Sequence, residues 1–195
     1  KGFITDNEHN YLIIDLLDYN LKYYKKIIES DNYVNKIKSL IINLIDILKN
    51  IHRKGIVHRD IKPENICFKN EELYLIDFGL AKMIIVDNAH INLKTINSTI
   101  GTPNYVSVNV INNIEPSRRD DIESLCYIFL YLYLDESTNN KYDNLDIKLK
   151  KDLYTILDYI DNAEVRQIIY TYLTYCRTLQ FADLPDYAYL QSLFR

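Results

Sequence analysis

His58-Arg59-Asp60-Ile61-Lys62-Pro63-Glu64-Asn65, then a short apolar run, then Tyr74-Leu75-Ile76-Asp77-Phe78-Gly79, is the stretch around which the chain is organised. Asp60 can accept a proton from a hydroxyl. Asn65 and Asp77 offer the oxygen ligands that a hard cation such as magnesium takes, usually in company with substrate phosphates. Lys62 places a positive charge beside Asp60, where phosphoryl charge would develop. The three oxygen-bearing groups lie within about one loop and one hairpin of each other, a spacing suited to handling a nucleoside triphosphate.

Upstream, Asn10–Leu17 reads as a strand whose Tyr11-Leu12-Ile13-Ile14 core is a short buried apolar run. Asp18-Tyr19-Asn20 reads as a turn, and residues 21–29 as a short helix punctuated by Ser30-Asp31-Asn32. Tyr33–Arg53 carries Val34, Ile37, Ile41, Leu44, Leu48 and Ile51 at three- and four-residue steps, which puts them on one helix face. Gly55 suits the left-handed position after that helix. Ile56-Val57 then feeds the motif as a two-residue strand.

Downstream, Ile66–Phe68 and Leu73–Ile76 read as paired strands around a turn at 69–72. Residues 83–99 show no periodicity and read as a long loop, a feature that in a compact domain is usually functional or mobile. Helices are expected over 119–134, 145–160 with a break, 164–178 and 186–194, with Pro185 opening the last. Residues 137–144 read as a polar loop.

The 195 residues suffice for one domain with a real core. A hydrophobic share of 48% and a charged share of 26% are those of an ordinary globular protein. The net charge of −4 gives nucleic-acid binding no electrostatic support. No run approaches the roughly 20 apolar residues of a membrane span, and no signal peptide is visible. Cys67, Cys126 and Cys176 are far apart and form no metal-type pair, which favours free buried thiols in a reducing, intracellular setting, cytoplasmic or nuclear. His9, His52 and His90 lack partners at metal spacing.

The His-Arg-Asp…Asn and Asp-Phe-Gly signatures match those of eukaryotic protein kinases. Further segments make the chain similar to the casein kinase 1 family: Ile76-Asp77-Phe78-Gly79-Leu80-Ala81-Lys82; Gly101-Thr102-Pro103-Asn104-Tyr105 with Ser107-Val108-Asn109; Glu115-Pro116-Ser117-Arg118-Arg119-Asp120-Asp121; and Tyr175-Cys176-Arg177-Thr178-Leu179-Gln180-Phe181 through Leu193-Phe194-Arg195. The resemblance covers nearly the whole chain. It implies a mainly α fold, the C-terminal lobe of a protein kinase, with short β-hairpins around the catalytic loop. Residues 1–195 would be the hinge plus that lobe.

By the same resemblance, Asp60 would be the catalytic base and Lys62 would contact the transferred phosphoryl group, in a context typical of serine/threonine kinases. Asn65 and Asp77 would bind Mg2+. Thr102 would bridge Asp60 and Lys62, and Asp121 would hold the catalytic loop's backbone from the helix beneath. Ile14 would be the gatekeeper, Asp15 and Leu17 would pair with adenine through their backbone, and Cys67 and Ile76 would line the adenine pocket. ATP and Mg2+ are the implied cofactors and a protein the implied substrate, with no nucleic-acid or membrane partner. His58 is assigned to packing.

The chain departs from the family in two missing motifs and in two substitutions. It has no G-x-G-x-x-G and no V-A-I-K-like lysine, so on this reading it begins just before the hinge and would be inactive, or nearly so, by itself. Asn104 and Asn97 stand where the family carries basic residues. The alternative function is a lobe-only protein acting as a non-catalytic binding or regulatory module.

Overall fold

A computed structural model describes residues 2–6, 8–28 and 31–195. Its helices carry the mass of the molecule, and its strands form small antiparallel sheets.

The centre is a helix pair. α2 (Tyr33–Arg53) buries Ile37, Leu40, Ile41, Leu44, Ile45 and Leu48, the stripe its spacing predicts. It packs on α4 (Arg118–Tyr133) and on α9 (Tyr187–Ser192), and α4 packs in turn on α8 (Ala163–Thr178). α4 is buried on nearly every side, from Arg118 through Leu130. A helix so placed would ordinarily be apolar all round. Here its first turns carry Arg118, Arg119, Asp120, Asp121 and Glu123, all buried, and each is matched by hydrogen bonds or ion pairs. Asp120 ties down the start of the helix by accepting from the Ser117 amide at 2.7 Å.

The carbonyls at the far end of α4 are satisfied from outside. Lys25 of α1 (Leu21–Ile27) donates to Tyr131 O and Leu134 O, Asn139 donates to the same two carbonyls, and Tyr33 donates to Leu132 O. A helix terminus has four such orphan acceptors, and burying them unpaired is costly.

Three short sheets surround the motif. β3 (Tyr19–Asn20) pairs with β5 (Ile66–Lys69), which pairs with β6 (Glu72–Leu75). β4 (Ile56–Val57) pairs with β7 (Lys82–Met83). β8 (Ile85–Val86) and β9 (Ala89–His90) form a hairpin. Gly55 has φ +73°, and a Cβ there would sit 2.9 Å from Cβ of Ile85. Glycine is therefore favoured both by the left-handed step at the helix end and by the closeness of β8.

Several expectations need correction. The strand expected over 10–17 stops at Ile13, as β2 (Asn10–Ile13) paired with β1 (Gly2–Thr5). Its apolar run is not buried: Leu12 is 72% and Ile14 57% exposed, because among the described residues no layer packs on either face of the two-stranded ribbon. The long loop at 83–99 contains β7, β8 and β9. The turn at Asp87-Asn88, both with positive φ, is the mirror-type hairpin turn that Asp and Asn tolerate, and its two-residue strands are too short to leave a periodicity. The polar loop at 137–144 is a helix, α5 (Glu136–Asp143). Asp135 caps it by accepting from the Thr138 amide, and Asn139 and Tyr142, three apart, face the interior. The broken helical region resolves into α6 (Ile147–Lys151) and α7 (Leu153–Asp158). A short helix, α3 (Val108–Ile111), capped by Ser107, was not anticipated. The helix expected over 21–29 ends at Ile27; Glu29 and Ser30 lie outside the described residues.

Candidate active site

β4 delivers the chain to His58, whose ring is fully buried. Its Nδ1 accepts from the Asp60 amide at 3.3 Å, which leaves Nε2–H to donate to Ile76 O at 3.0 Å. The ring stands edge-on to Phe78, 4.8 Å between centroids. One packing histidine therefore ties Asp60 to the residue preceding Asp77. Arg59 follows with φ +69°, a left-handed step for a non-glycine residue. Asp121 of α4 supports it: Oδ2 accepts from the His58 amide at 2.7 Å and Oδ1 from the Arg59 amide at 2.9 Å. Such a conformation persists only where its surroundings over-determine it.

Asp60 is 7% exposed. Its Oδ2 accepts from Lys62 Nζ at 2.6 Å and from Asn65 Nδ2 at 3.3 Å, and its Oδ1 accepts from Thr102 Oγ1 at 2.7 Å. Burial pushes its carboxyl up, but the hydrogen bonds from Lys62 and Thr102 and the Lys62 charge outweigh burial and hold it below the usual carboxylate range. Lys62 is held above its ordinary value, chiefly by the same hydrogen bond. Thr102 and Lys62 thus meet through the Asp60 carboxylate that stands between them.

A 3-10 turn over Pro63–Asn65 leads into β5. Asn65 spends its amide nitrogen on Asp60, on the backbone O at 3.0 Å and on Oδ2. That fixes the amide's orientation and leaves its carbonyl oxygen without a hydrogen bond among the described residues. The Ile76 amide donates to Asn65 O at 2.9 Å, so the residue before Asp77 is bonded to Asn65 directly. Asp77, at φ +64°, accepts from the Gly79 amide at 3.2 Å through Oδ1. Its charge is felt at Lys62. Asp60 and Asn65 are thus in direct contact, and Asp77 is tied to them through the Ile76–Asn65 backbone bond and through its charge on Lys62. An amide oxygen free of protein donors and an exposed carboxylate form a hard-oxygen donor set that fits Mg2+.

The residues expected around adenine are arranged less tightly. Asp18 donates its amide to Phe68 O at 2.8 Å, and β3 pairs Asn20 with Cys67, so the 14–17 segment runs to the same sheet that carries Cys67. Cys67 is buried, with its thiol raised by burial. Ile76 and Leu17 are half-buried, and Ile14 and Asp15 are exposed.

The segment beyond Phe78 is fastened to the same loop. Gly101, at φ +101°, lies so close to the 58–65 loop that a Cβ would stand 2.5 Å from Arg59 O. Ser107 Oγ and Asn109 Nδ2 both donate to Asp120 Oδ1, which seats the Ser107-Val108-Asn109 segment on the start of α4.

Two contributors were given no role by the sequence, although Glu115 opens one of the segments that carry the resemblance. Glu115, 2% exposed, is a hub for three cations: Arg59 at 3.1 Å, Lys82 at 2.7 Å and Lys94 at 3.8 Å. His52, set aside for want of metal spacing, is the ring behind Asp121. Its place four residues after Leu48 on the buried stripe of α2 was the available clue. Arg118 and Arg119 hook the 179–182 segment, donating to Ala182 O at 3.3 Å and Leu179 O at 2.7 Å, with Arg119 also 3.6 Å from Asp120. Among the described residues no helix is long and apolar enough to cross a membrane. The family model described as "Protein kinase domain" matches residues 1–171.

Proposed function

The chain belongs to the protein kinase domain family, and from that premise we propose that it is the hinge and C-terminal lobe of an ATP-dependent serine/threonine protein kinase of casein kinase 1 type. Membership of the family implies phosphoryl transfer from Mg-ATP to protein in general. The narrower reading rests on the residues.

The observation that carries it is the grip on Asp60. A base must be ionised and aimed, and Asp60 is held ionised between Lys62, Asn65 and Thr102. In the proposed reaction Asp60 takes the proton of a substrate serine or threonine hydroxyl as its oxygen attacks the γ-phosphorus of ATP in line. The bond to the β,γ-bridging oxygen breaks, and ADP leaves. Lys62, a mobile point charge next to Asp60, balances the charge spreading over the transferred phosphoryl oxygens. Thr102 restrains the carboxylate rotamer. Asn65 and Asp77 would hold Mg2+, which would supply neutralisation of phosphate charge. Ile14, Asp15, Leu17, Cys67 and Ile76 are assigned to adenine, and the exposed apolar side chains of β1 and β2 to a surface that takes a covering layer.

The test is incubation of the intact protein with Mg-ATP and a mixed serine, threonine and tyrosine peptide library, read by mass spectrometry. Phosphoserine and phosphothreonine are expected, with loss of both in Asp60→Asn. Phosphotyrosine as the main product, or undiminished transfer in Asp60→Asn, overturns the reading.

A further inference from the structure

We propose that Lys150 and Lys151, at the end of α6, are positioning residues that clamp the Thr102–Tyr105 segment through Asn104 and so hold Thr102 against Asp60.

Both lysines are buried, at 5% and 4% exposure. Lys150 Nζ donates to Asn104 Oδ1 at 2.9 Å, and Lys151 Nζ donates to Asn104 O at 2.7 Å. One residue of the loop is therefore held by side chain and backbone at once. Asn104 also donates to Asp143 Oδ1 at 3.3 Å, and Asp143 lies 3.8 Å from Lys150. Thr102 is two residues away in a tight turn, its carbonyl accepting from the amides of Tyr105 at 2.9 Å and Val106 at 3.1 Å. The other side of the turn is Gly101, pressed on Arg59 O. Thr102 thus sits between two anchors, and only one of them belongs to the catalytic loop.

Burying an ammonium group is expensive, and the usual compensation is a carboxylate partner. Among the described residues none lies within ion-pair distance of Lys151. Its Nζ is instead 3.3 Å from the centroid of the Tyr127 ring. A methionine would fill that space without the desolvation cost, so what the amine adds is its bond to Asn104 O. Its own backbone is fixed as well, since Arg177 Nη2 donates to Lys151 O at 2.7 Å. The clamp is rigid at both ends.

The groups facing Lys151 are Glu123, Cys126 and Tyr127 of α4, Lys150 of α6 and Arg177 of α8, with Asp143 and Tyr142 of α5 beside Lys150. Burial outweighs the attraction of Glu123 and brings the Lys151 amine down to about 7, so its charge changes near neutrality.

The consequence for substrate rests on the kinase reading, but the clamp does not, and hydrogen exchange of this chain tests the clamp without any phosphoryl transfer. Lys151→Met is expected to speed exchange of the Tyr105 and Val106 amides by about tenfold, the loss of one charge-assisted hydrogen bond, while α4 and α8 stay protected. Lys151→Arg, always charged, is expected to restore protection. Corrected for intrinsic exchange, wild-type protection of these two amides should fall from about pH 6 to about pH 8.5, and that of Lys151→Arg should not. Lys150→Met is expected to act in the same direction and serves if Lys151→Met does not fold. Unchanged exchange at residues 101–106 in both methionine variants overturns the proposal. So does loosening that spreads equally through α4 and α8, or the absence of any pH dependence in the wild type.

Discussion

Nε2 of His52 lies 3.0 Å from Oδ2 of Asp121, and Nδ1 of the same ring lies 2.8 Å from the hydroxyl of Tyr187. A carboxylate only accepts, so Nε2 carries the proton and Nδ1 accepts from Tyr187. Three elements, α2, α4 and α9, meet in one buried line that ends on the backbone of His58 and Arg59. Burial pushes the Asp121 carboxyl up, but the His52 contact and the two loop amides outweigh it and hold the group below its usual range. A carboxyl lowered in the folded state contributes stability above its unfolded value and loses it as pH falls through the folded value. Asp121→Asn is expected to cost about 1–3 kcal/mol in urea unfolding at neutral pH, because buried donors lose their acceptor, and to flatten the acid limb of stability below about pH 4. A variant as stable as wild type at pH 7 would contradict this.

Asp60→Asn should separate chemistry from folding. The amide can still accept from Thr102, and it loses the ion pair to Lys62 and the hydrogen bond from Asn65 Nδ2 at 3.3 Å. Peptide phosphorylation is expected to fall by about a thousandfold, within the range for a general base. The unfolding midpoint should move little, because the ion pair is partly solvated on the Lys62 side. Initial-rate assays beside thermal melts check both halves.

Gly101→Ala inserts a Cβ 2.5 Å from Arg59 O at φ +101°. The neighbour is backbone and cannot swing aside. Destabilisation of about 1–3 kcal/mol is expected, with a larger proportional loss of phosphoryl transfer, because the clash falls between the catalytic loop and Thr102. Chemical denaturation and peptide kinetics on the same variant are the measurements.

Glu115→Gln removes the charge that gathers Arg59, Lys82 and Lys94. Breaking one partner of a buried pair leaves the others uncompensated. Limited proteolysis within residues 82–100 is expected to speed up, while cleavage elsewhere keeps its rate. Added salt should narrow the difference, since Lys94 is mostly exposed.

Lys151 carries a second rising limb of global stability, above neutrality and not in acid. Its folded value is about 7, below the ordinary lysine value. Between the two, the unfolded chain binds more protons than the folded one, so stability rises with pH over that window. A slope approaching roughly 1.4 kcal/mol per pH unit above pH 7 is the upper limit for one group. Lys151→Met should abolish that slope, which urea titrations at several pH values would reveal.

Much of this was legible in the sequence because it is local. The stripe of α2, the end at Gly55 and the order His58…Asn65…Asp77 depend on residues close in the chain, where spacing alone decides which side chains share a face or a turn. The loop at 83–99 and the helix at 136–143 were misread for complementary reasons. Two-residue strands carry no period, and a helix whose buried residues are Asn139 and Tyr142 carries no hydrophobic one. The run at 11–14 has strand composition, but composition does not say whether another layer lies against it.

The chain's letters alone determined the chemistry on offer: a carboxylate, a lysine, an amide and a second carboxylate in an order that suits phosphoryl transfer. Only tertiary structure decided how that chemistry is held. His52 behind Asp121, Glu115 among three cations, and Lys150 and Lys151 upon Asn104 join residues 21 to 69 positions apart. Such contacts follow from which helices pack together. Their strength comes from burial, where an unpaired charge is costly and a paired one holds its place.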